Sequence, residues 1–388
     1  MQSHASTRYN SRMNSKPTIP PRLIQSESEL DEVLTELAST PHLAVDTESN
    51  SLYAYQEQVC LIQFSTRDQD LLVDPLSIAD LGVLEPIFND PKIEKVLHGA
   101  EYDVICLARD FDFMIENLFD TRTACRTLGY KRSGLSDLVE EVLDVEISKR
   151  FQRANWGRRP LPPEMLDYAR LDTHFLIPLR QRLTNELLEA GRWQEFNELS
   201  QRKTIPLHQE NGFDPDGFWN ISNARKLRPQ QRAILRELYL LRDHLARDLD
   251  RPTFKVMPDH ALLAMAKAAP RDIGALHDIK GVSPRWVSEY GDDMLEAIRQ
   301  GKNAKPPAKP VYEGMSDAAH DRFETLRDWR KVAARQHKVE SDLILPRDLM
   351  ETLANEAPRS QKELQRLMDP LEWRFQQFGD EILKILTS

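Results

Sequence analysis

The sequence predicts an α/β domain, built on a mixed sheet flanked by helices, that is followed by two all-α helical bundles. Three observations lead to this fold class. Between residues 23 and 202, short apolar strand patterns alternate with helical patterns. From residue 213 onward, only helical patterns occur. This second part also repeats itself at an offset of 88 residues, as expected of two copies of one structural unit.

Short apolar runs bounded by turn residues predict five strands in the first part. The runs cover residues 42–46, 59–64, 70–74, 95–98 and 118–120. The links between the first three runs are short, which favours an antiparallel meander. Longer connections precede the last two runs, so the sheet is expected to be mixed.

Helical patterns occupy the connections between these strands and the segment that follows them. They cover residues 81–88, 103–111, 122–128 and 135–143. A longer helix is predicted to begin at Pro162-Pro163 and to run towards residue 190, with an interruption or kink at Pro178.

The repeat in the second part is carried by short matching segments. Val256-Met257-Pro258 matches Ile344-Leu345-Pro346, and Ala269-Pro270-Arg271 matches Ala357-Pro358-Arg359. A proline-rich, cationic stretch at 301–310 lies between the copies and predicts a semi-stiff spacer. The expected domains are a flexible tail, the α/β domain, a first helical module, a linker and a second helical module. Their boundaries are 1–21, 22–212, 213–301, 302–314 and 315–388.

Composition is that of an ordinary globular protein, with 40% hydrophobic and 29% charged residues. No apolar run is long enough to span a membrane, and the first 20 residues lack the apolar core of a secretory signal. The three cysteines have no metal-site spacing and are expected to be core thiols in a reducing compartment. We therefore expect a cytoplasmic protein.

Four acids and one tyrosine are the candidate catalytic residues. Asp46 and Glu48 are two residues apart on a strand, so they point to one face. Asp103 stands where a strand turns into a helix, and Tyr168 and Asp172 share a helix face. Taken singly, each is more typical of a solvated strand end, a helix N-terminal acid or a half-buried aromatic beside a surface acid. Together, four converging acids predict a site for divalent cations.

The run 149–159 is the candidate nucleic-acid-binding segment, although the net charge of the chain is −10. It combines cations with aromatic residues and contains no acid, a mixture that suits backbone neutralisation and base stacking. A solvated basic loop is the alternative interpretation. The residues that we assign to nucleic-acid binding are Lys149, Arg150, Arg153, Trp156, Arg158 and Arg159.

These motifs resemble the three exonuclease motifs of the DEDD superfamily. Residues 44–48 look like the first motif and residues 97–103 like the second. Residues 156–164, followed by 168–172, look like the third motif in its tyrosine form. The downstream repeats resemble HRDC domains, and the whole arrangement, over residues 22–388, resembles the ribonuclease D family.

The resemblance implies a ribonuclease H-like fold and a 3′→5′ exoribonuclease. Asp46, Glu48 and Asp172 would ligate a pair of Mg²⁺ or Mn²⁺ ions, with Asp46 bridging, and Asp103 would hold the second ion. Tyr168 would hydrogen-bond the attacking water. The expected products are nucleoside 5′-monophosphates, and the expected partners are tRNA precursors and other structured RNA 3′ ends. A monomer is expected, with no membrane and no nucleotide cofactor.

One departure and two alternatives accompany this resemblance. Ser49 stands where many family members carry phenylalanine, and Leu52, Tyr53 or Tyr55 could supply the missing stacking group. The same acids could cleave DNA, because two-metal hydrolysis does not require a 2′-hydroxyl. An inactive nucleic-acid-binding scaffold is the third hypothesis, and the complete set of acids argues against it.

Overall fold

The chain forms two compact units. The computed structural model describes residues 17, 19–205, 212–310 and 314–387. The first unit combines residues 1–49, 59–209 and 313–388, and the second combines residues 50–58 with 210–312. The predicted N-terminal tail lies mostly outside the described residues.

A six-stranded mixed sheet lies at the centre of the first unit, which confirms the predicted sheet. Its strands are β1 Arg22–Ile24, β2 His42–Ser49, β3 Val59–Ser65, β4 Asp70–Val73, β5 Glu94–Leu97 and β6 Leu118–Asp120. The order across the sheet is β1-β4-β3-β2-β5-β6. The β2–β3 and β3–β4 pairs are antiparallel, as predicted, and the other pairs are parallel. The short strand β1 was not predicted, and β2 runs three residues beyond its expected end.

In the described part of the first unit, nine α-helices precede the helical modules. They are α1 Glu27–Ser39, α2 Glu85–Asn89, α3 Glu101–Phe111, α4 Thr121–Leu128, α5 Leu135–Leu143, α6 Pro163–Ala169, α7 Leu171–His174, α8 Leu176–Glu189 and α9 Trp193–Arg202. The predicted long helix is divided into α6, α7 and α8, with breaks at Arg170 and Phe175. Pro178 lies in the first turn of α8, where backbone N–H groups have no intrahelical acceptor, so it is accommodated without a kink.

Each face of the sheet has its own apolar core because side chains alternate along a strand. On one face, Val45 and Phe64 pack in a cluster with Leu30 of α1 and Val104 of α3. On the other face, Ala44, Val96 and Phe119 pack against α4, α8 and α9. Asp46 and Glu48 continue the alternation of Ala44. The two acids therefore lie on the second face, beyond the point where its apolar packing ends.

The second unit is the first helical module together with the loop that follows β2. Its helices are α10 Pro229–Asp248, α11 Thr253–Val256, α12 Asp259–Ala268, α13 Ile273–His277 and α14 Pro284–Asn303. In the loop, the Tyr55 hydroxyl donates to Asp243 at 2.6 Å and the Tyr55 amide donates to Asp250 at 3.0 Å. The Lys255 ammonium lies 4.2 Å from the centre of the Tyr53 ring. Both tyrosines are thus engaged with the helical module instead of standing free to stack on a base.

The second helical module repeats the first element by element. Its helices are α15 Asp317–His337, α16 Ser341–Ile344, α17 Arg347–Glu356, α18 Gln361–Met368 and α19 Glu372–Thr387. Each begins 88 residues after its counterpart. Ala269 and Ala357, which end the third helix of each copy, adopt the same left-handed conformation with φ of 47° and 46°. The predicted repeat and the two all-α bundles are confirmed.

A buried arginine joins the second helical module to α9 within the first unit. Arg374 is 0% exposed. Its Nη1 lies 2.9 Å from the Glu198 carboxylate, and its Nη2 donates to the Leu343 carbonyl at 2.7 Å. Leu199 of α9 also belongs to the apolar core of the module, and Arg202 pairs with Asp348. Deleting the module would uncover this surface of α9, so point substitutions are better suited than truncation to test its role.

Replacing Arg374 by alanine should lower the free energy of unfolding by about 3–5 kcal/mol, because it leaves the largely buried Glu198 carboxylate without a counter-charge. Urea denaturation of the full chain measures this effect. Arg366→Ala, on the exposed face of α18, is the matched control and should change the free energy by less than about 0.5 kcal/mol. Equal stability of the two variants would contradict the structural role assigned to Arg374.

Candidate active site

The first two acidic motifs are tied together by Thr47. Asp46 and Glu48 lie on β2, in the middle of the sheet, and Asp103 lies in the first turn of α3. Gly99, with φ of +76°, forms the turn that leads from β5 into α3. The Thr47 backbone amide and hydroxyl donate to one oxygen of Asp103 at 3.1 and 2.6 Å. These bonds hold the second motif against the strand that carries the first.

The third motif covers the same face of the sheet. Tyr168 lies on α6 and Asp172 on α7. The hydroxyls of Thr173 on α7 and Ser65 on β3 are 2.7 Å apart, which fixes α7 over the sheet. Tyr168 is 7% exposed, and its ring packs against Phe151 and Trp156, with centroid distances of 5.8 and 6.2 Å. The tyrosine and the last acid are therefore held on short, well-packed helices.

Burial raises the pKa of all four acids, and the charges of neighbouring carboxylates add to the rise. The pKa of Asp46 lies well above its ordinary value because of burial first, and then because of Asp103, Asp172 and Glu48. Burial, followed by Asp172 and Asp103, raises the pKa of Glu48 in the same way. Burial raises the pKa of Asp103 to about 6, although bonds from Thr47 oppose it, and burial together with Asp103 raises that of Asp172 to about 7. The structure thus brings the four predicted acids into one electrostatic group.

This group has the chemistry of a divalent-cation site. Among the described residues, no cationic side chain forms an ion pair with any of the four acids. Four carboxylates supply the oxygen ligands that Mg²⁺ and Mn²⁺ prefer, and a bound cation would relieve their repulsion. Within the described ranges, no three acidic, histidine or cysteine side chains close tightly around one point. The residue types present therefore fit the expected ions.

Tyr168 is suited to donate a hydrogen bond and not to accept a proton. Burial is the first cause that raises its pKa, and the charges of Asp172, Glu48 and Asp46 add to it. The phenol therefore stays protonated throughout the neutral range.

Comparison with known proteins gives matches over most of the chain. Residues 21–188 match the 3′–5′ exonuclease family, and residues 231–298 and 319–386 match the HRDC domain. The exosome complex exonuclease RRP6 of Saccharomyces cerevisiae is 34% identical over 325 residues, which cover 79% of this chain and 44% of that protein. A mutant of the catalytic core of RRP6 from Trypanosoma brucei is 30% identical, with a TM-score of 0.64, and the match covers 77% of this chain and 86% of that one. The chain belongs to the 3′–5′ exonuclease family.

Other comparisons show how much of each protein the match covers. Escherichia coli RNase D shares the fold over 95% of this chain and 99% of its own, with a TM-score of 0.69 and 24% identity. The chain spans only 33% of the Caenorhabditis elegans relative and 44% of the yeast relative. Among the described residues, no helix is both long and apolar enough to cross a membrane.

The basic run of the exonuclease domain divides into surface and structural residues. Lys149, Arg150, Arg153 and Arg158 are exposed. Trp156, in contrast, is 1% exposed and packs in the core beside Tyr168, so its indole is not presented for stacking on a base.

Arg159 is likewise occupied by contacts within the protein. Its Nε and Nη2 reach the two carboxylate oxygens of Asp74 at 2.7 and 2.6 Å, and its Nη2 also donates to the Cys60 carbonyl at 2.6 Å. Burial of Asp74 opposes ionisation, but the bonds from Arg159 and Gln25 hold its pKa below the usual value. Arg159 therefore clamps the third motif to the strands β3 and β4. We leave Arg159 and Trp156 out of the proposed RNA surface.

Asp120 is a site-supporting residue that the sequence analysis did not assign. It ends β6 and accepts hydrogen bonds from the amides of Gly99 and Ala100 at 3.0 and 3.3 Å. Despite burial, the Lys203 ammonium at 2.5 Å lowers the pKa of Asp120 to about 2. Asp120 thereby fixes the turn that places Asp103. Its position at the end of a parallel strand was the signal that could have revealed it.

In metal-free protein, Asp172→Asn should stabilise the fold at pH 8 by roughly 1–3 kcal/mol. The folded state keeps this carboxyl protonated up to about pH 7, whereas an unfolded chain ionises it near pH 4. The stability that the protonated Asp172 carboxyl contributes is therefore fully present below about pH 4, and it is lost as the pH rises through about 7. Urea denaturation in EDTA at pH 4 and pH 8 measures the difference, which should vanish at the lower pH. A variant less stable than wild type at pH 8 would contradict the conclusion that ionised Asp172 destabilises the metal-free fold.

Proposed function

We propose that this protein is a metal-dependent 3′–5′ exoribonuclease that trims the 3′ ends of RNA precursors, tRNA precursors among them. The observation that carries the proposal is the group of four repelling carboxylates beside a protonated tyrosine, in which Asp103 is buried and the other three acids are half-buried. Such a group is costly to the fold unless it serves to bind cations. The RNA substrate is inferred from the relatives, since the yeast relative is an exosome complex exonuclease and the E. coli structure is an exoribonuclease involved in structured RNA processing.

In this proposal, Asp46, Glu48, Asp103 and Asp172 hold two Mg²⁺ or Mn²⁺ ions. When bound, the ions activate the attacking water and stabilise the charge on the departing 3′ oxygen. The protein supplies orientation. Thr47 holds one oxygen of Asp103, and the packing of α7 on β3 holds Asp172 over the same face. The reaction then releases nucleoside 5′-monophosphates.

Tyr168 orients the attacking water as a hydrogen-bond donor. Its hydroxyl proton stays in place at neutral pH because burial and the neighbouring acids disfavour the phenolate. Phe151 and Trp156 prevent the ring from turning away. Two aromatic residues of the basic run thus hold the ring of Tyr168 in place. In this proposal, the same segment also carries the exposed cations that bind RNA.

We assign the RNA-binding role to a basic surface made of Lys149, Arg150, Arg153 and Arg158. Their side chains are exposed on the segment that leads into the third motif. Charges at this place would guide the RNA backbone towards the acids. The buried cysteines agree with the further proposal of a reducing, cytoplasmic setting, and we propose a monomer as the working form.

Replacing both Lys149 and Arg158 by alanine should weaken RNA binding similarly for all sequences. It should also reduce the slope of log K against log salt by about 1.4, at about 0.7 for each lost contact with a single strand. Fluorescence anisotropy with single-stranded RNA over a range of KCl concentrations measures the slope. Lys92→Ala is the control, because Lys92 is exposed just before β5, at the opposite end of the strands from the acids. An unchanged slope would remove these two residues from the RNA surface.

A direct test of substrate and reaction uses a 5′-labelled tRNA precursor with a short 3′ extension and a DNA strand of the same sequence. Each is incubated with the full chain in Mg²⁺, Mn²⁺ or EDTA, beside the Asp103→Asn variant. We expect a metal-dependent ladder that shortens from the 3′ end of the RNA and is absent with the variant. Faster shortening of DNA would favour a DNA exonuclease. Tight RNA binding without any shortening would favour an inactive scaffold.

A further inference from the structure

Gln63 lies beside the acids of the candidate site. It is on β3, directly opposite Asp46 on β2. Residues directly opposite in an antiparallel pair project to the same face, with Cβ atoms about 4.5–5.5 Å apart. Its neighbours on that face of β3 are Leu61, which clusters with Tyr168, and Ser65, which contacts Thr173. Gln63 therefore lies between Asp46 and the helices of the third motif.

The Gln63 side chain is buried without a hydrogen-bond partner. It is 0% exposed. Neither its Nε2 nor its Oε1 has a partner among the residues that the structure describes. A buried amide that makes no hydrogen bond destabilises a fold, and buried polar groups are nearly always paired. The sheet position would accept an apolar residue such as its neighbour Leu61, so the amide at this position points to a hydrogen bond that forms only in the working protein.

The carboxylate of Asp46 is the acceptor best placed to be that partner. A carboxylate has two oxygens and about four lone-pair positions, so it can face a cation and still accept a hydrogen bond. Ligands of bound metals commonly have such a second partner, which fixes the direction of the ligand. The amide is neutral and can therefore orient Asp46 without competing with a cation for its charge, as an arginine or lysine would.

We propose that Gln63 is a positioning residue whose Nε2 donates to the Asp46 carboxylate when divalent cations are bound. This inference rests on the proposed function, because it assigns Gln63 to the same metal site. Gln63 acts through Asp46 and does not touch the substrate. Its loss should therefore affect metal binding before it affects the binding of RNA.

The test compares Gln63→Met with wild type in two measurements on the full chain. Methionine has nearly the length of glutamine but cannot make the hydrogen bond. Titration with Mn²⁺, followed by the EPR signal of free Mn²⁺, should show affinity 10–100-fold weaker than wild type. Thermal unfolding in EDTA should show a midpoint equal to or above that of wild type, because the unpaired amide has been removed. Gln63→Leu provides the same comparison through a second apolar side chain.

Gln201→Met, the same substitution outside the site, is the matched control. Gln201 lies on α9, and its Nε2 donates to the Leu118 carbonyl at 2.8 Å. This variant should lower the unfolding midpoint and leave Mn²⁺ affinity unchanged, which is the opposite pattern.

Two outcomes would overturn the inference, and they are distinguishable. Wild-type Mn²⁺ affinity in Gln63→Met, or a lower midpoint in EDTA with unchanged affinity, would show that Gln63 has only a structural role. Failure of the wild-type protein itself to bind Mn²⁺ at millimolar concentration would instead remove the metal site, and with it the proposed function.

Discussion

Asp46→Asn is expected to lower kcat for RNA shortening by roughly 10³-fold or more, while the fold and RNA binding persist. Asp46 is the acid whose pKa responds to all three of the others, so it occupies the electrostatic centre of the group. Loss of its charge removes a ligand from the ions that supply several kcal/mol of transition-state stabilisation. Single-turnover measurements with 5′-labelled RNA in saturating Mg²⁺ give the rate, and anisotropy gives the affinity for RNA.

Asp68→Asn is the control for this variant. Asp68 is an exposed acid in the turn between β3 and β4, and its replacement should leave the rate unchanged. Because Asp46→Asn removes a repelling charge, its metal-free form should be at least as stable as wild type, so unfolding cannot explain a loss of activity. A wild-type rate for purified Asp46→Asn would exclude the assigned site.

Tyr168→Phe is expected to reduce kcat by about 10²-fold or more and to change KM little. The substitution keeps the ring contacts with Phe151 and Trp156 and removes only the hydroxyl that we propose orients the attacking water. Since the phenol is protonated at neutral pH, the wild-type rate should show no dependence on ionisation of this tyrosine between pH 6 and pH 9.

The matched control for Tyr168 is Tyr130→Phe. The Tyr130 hydroxyl donates to Glu186 at 2.8 Å, so this variant also loses one hydrogen-bonded hydroxyl. Tyr130 belongs to none of the three motifs, and its variant should keep the wild-type rate. Equal rates for the two variants would show that Tyr168 serves only to pack the third motif.

Much of the fold could be predicted from the sequence because its patterns are local. The strands from β2 to β6 are short apolar runs bounded by turn residues, and the two helical modules repeat at a fixed spacing. The strand β1 has only three residues, too few to show a period. The assignment of residues 50–58 to the second unit depends on tertiary contacts of Tyr55 with Asp243 and Asp250, which lie far along the chain and leave no periodic signal.

In the candidate site too, residues in short motifs could be predicted from the sequence, whereas contacts between residues far apart in the chain could not. The four acids and Tyr168 could be found because each lies in a short motif with fixed spacing. Trp156 and Arg159 were misinterpreted because composition does not reveal burial. The carboxylate that binds Arg159 belongs to Asp74, 85 residues earlier in the chain. Gln63 was missed for a similar reason, since its importance comes from its register opposite Asp46.

We propose that the four acids support hydrolysis that removes one nucleotide at a time from an RNA 3′ end. The most direct test is to identify the products released from a uniformly labelled RNA by the full chain in Mg²⁺ or Mn²⁺, using thin-layer chromatography. We predict nucleoside 5′-monophosphates from the first time point, none in EDTA and none with Asp46→Asn. Nucleoside 3′-monophosphates, internal fragments, or products that persist in EDTA would contradict the account.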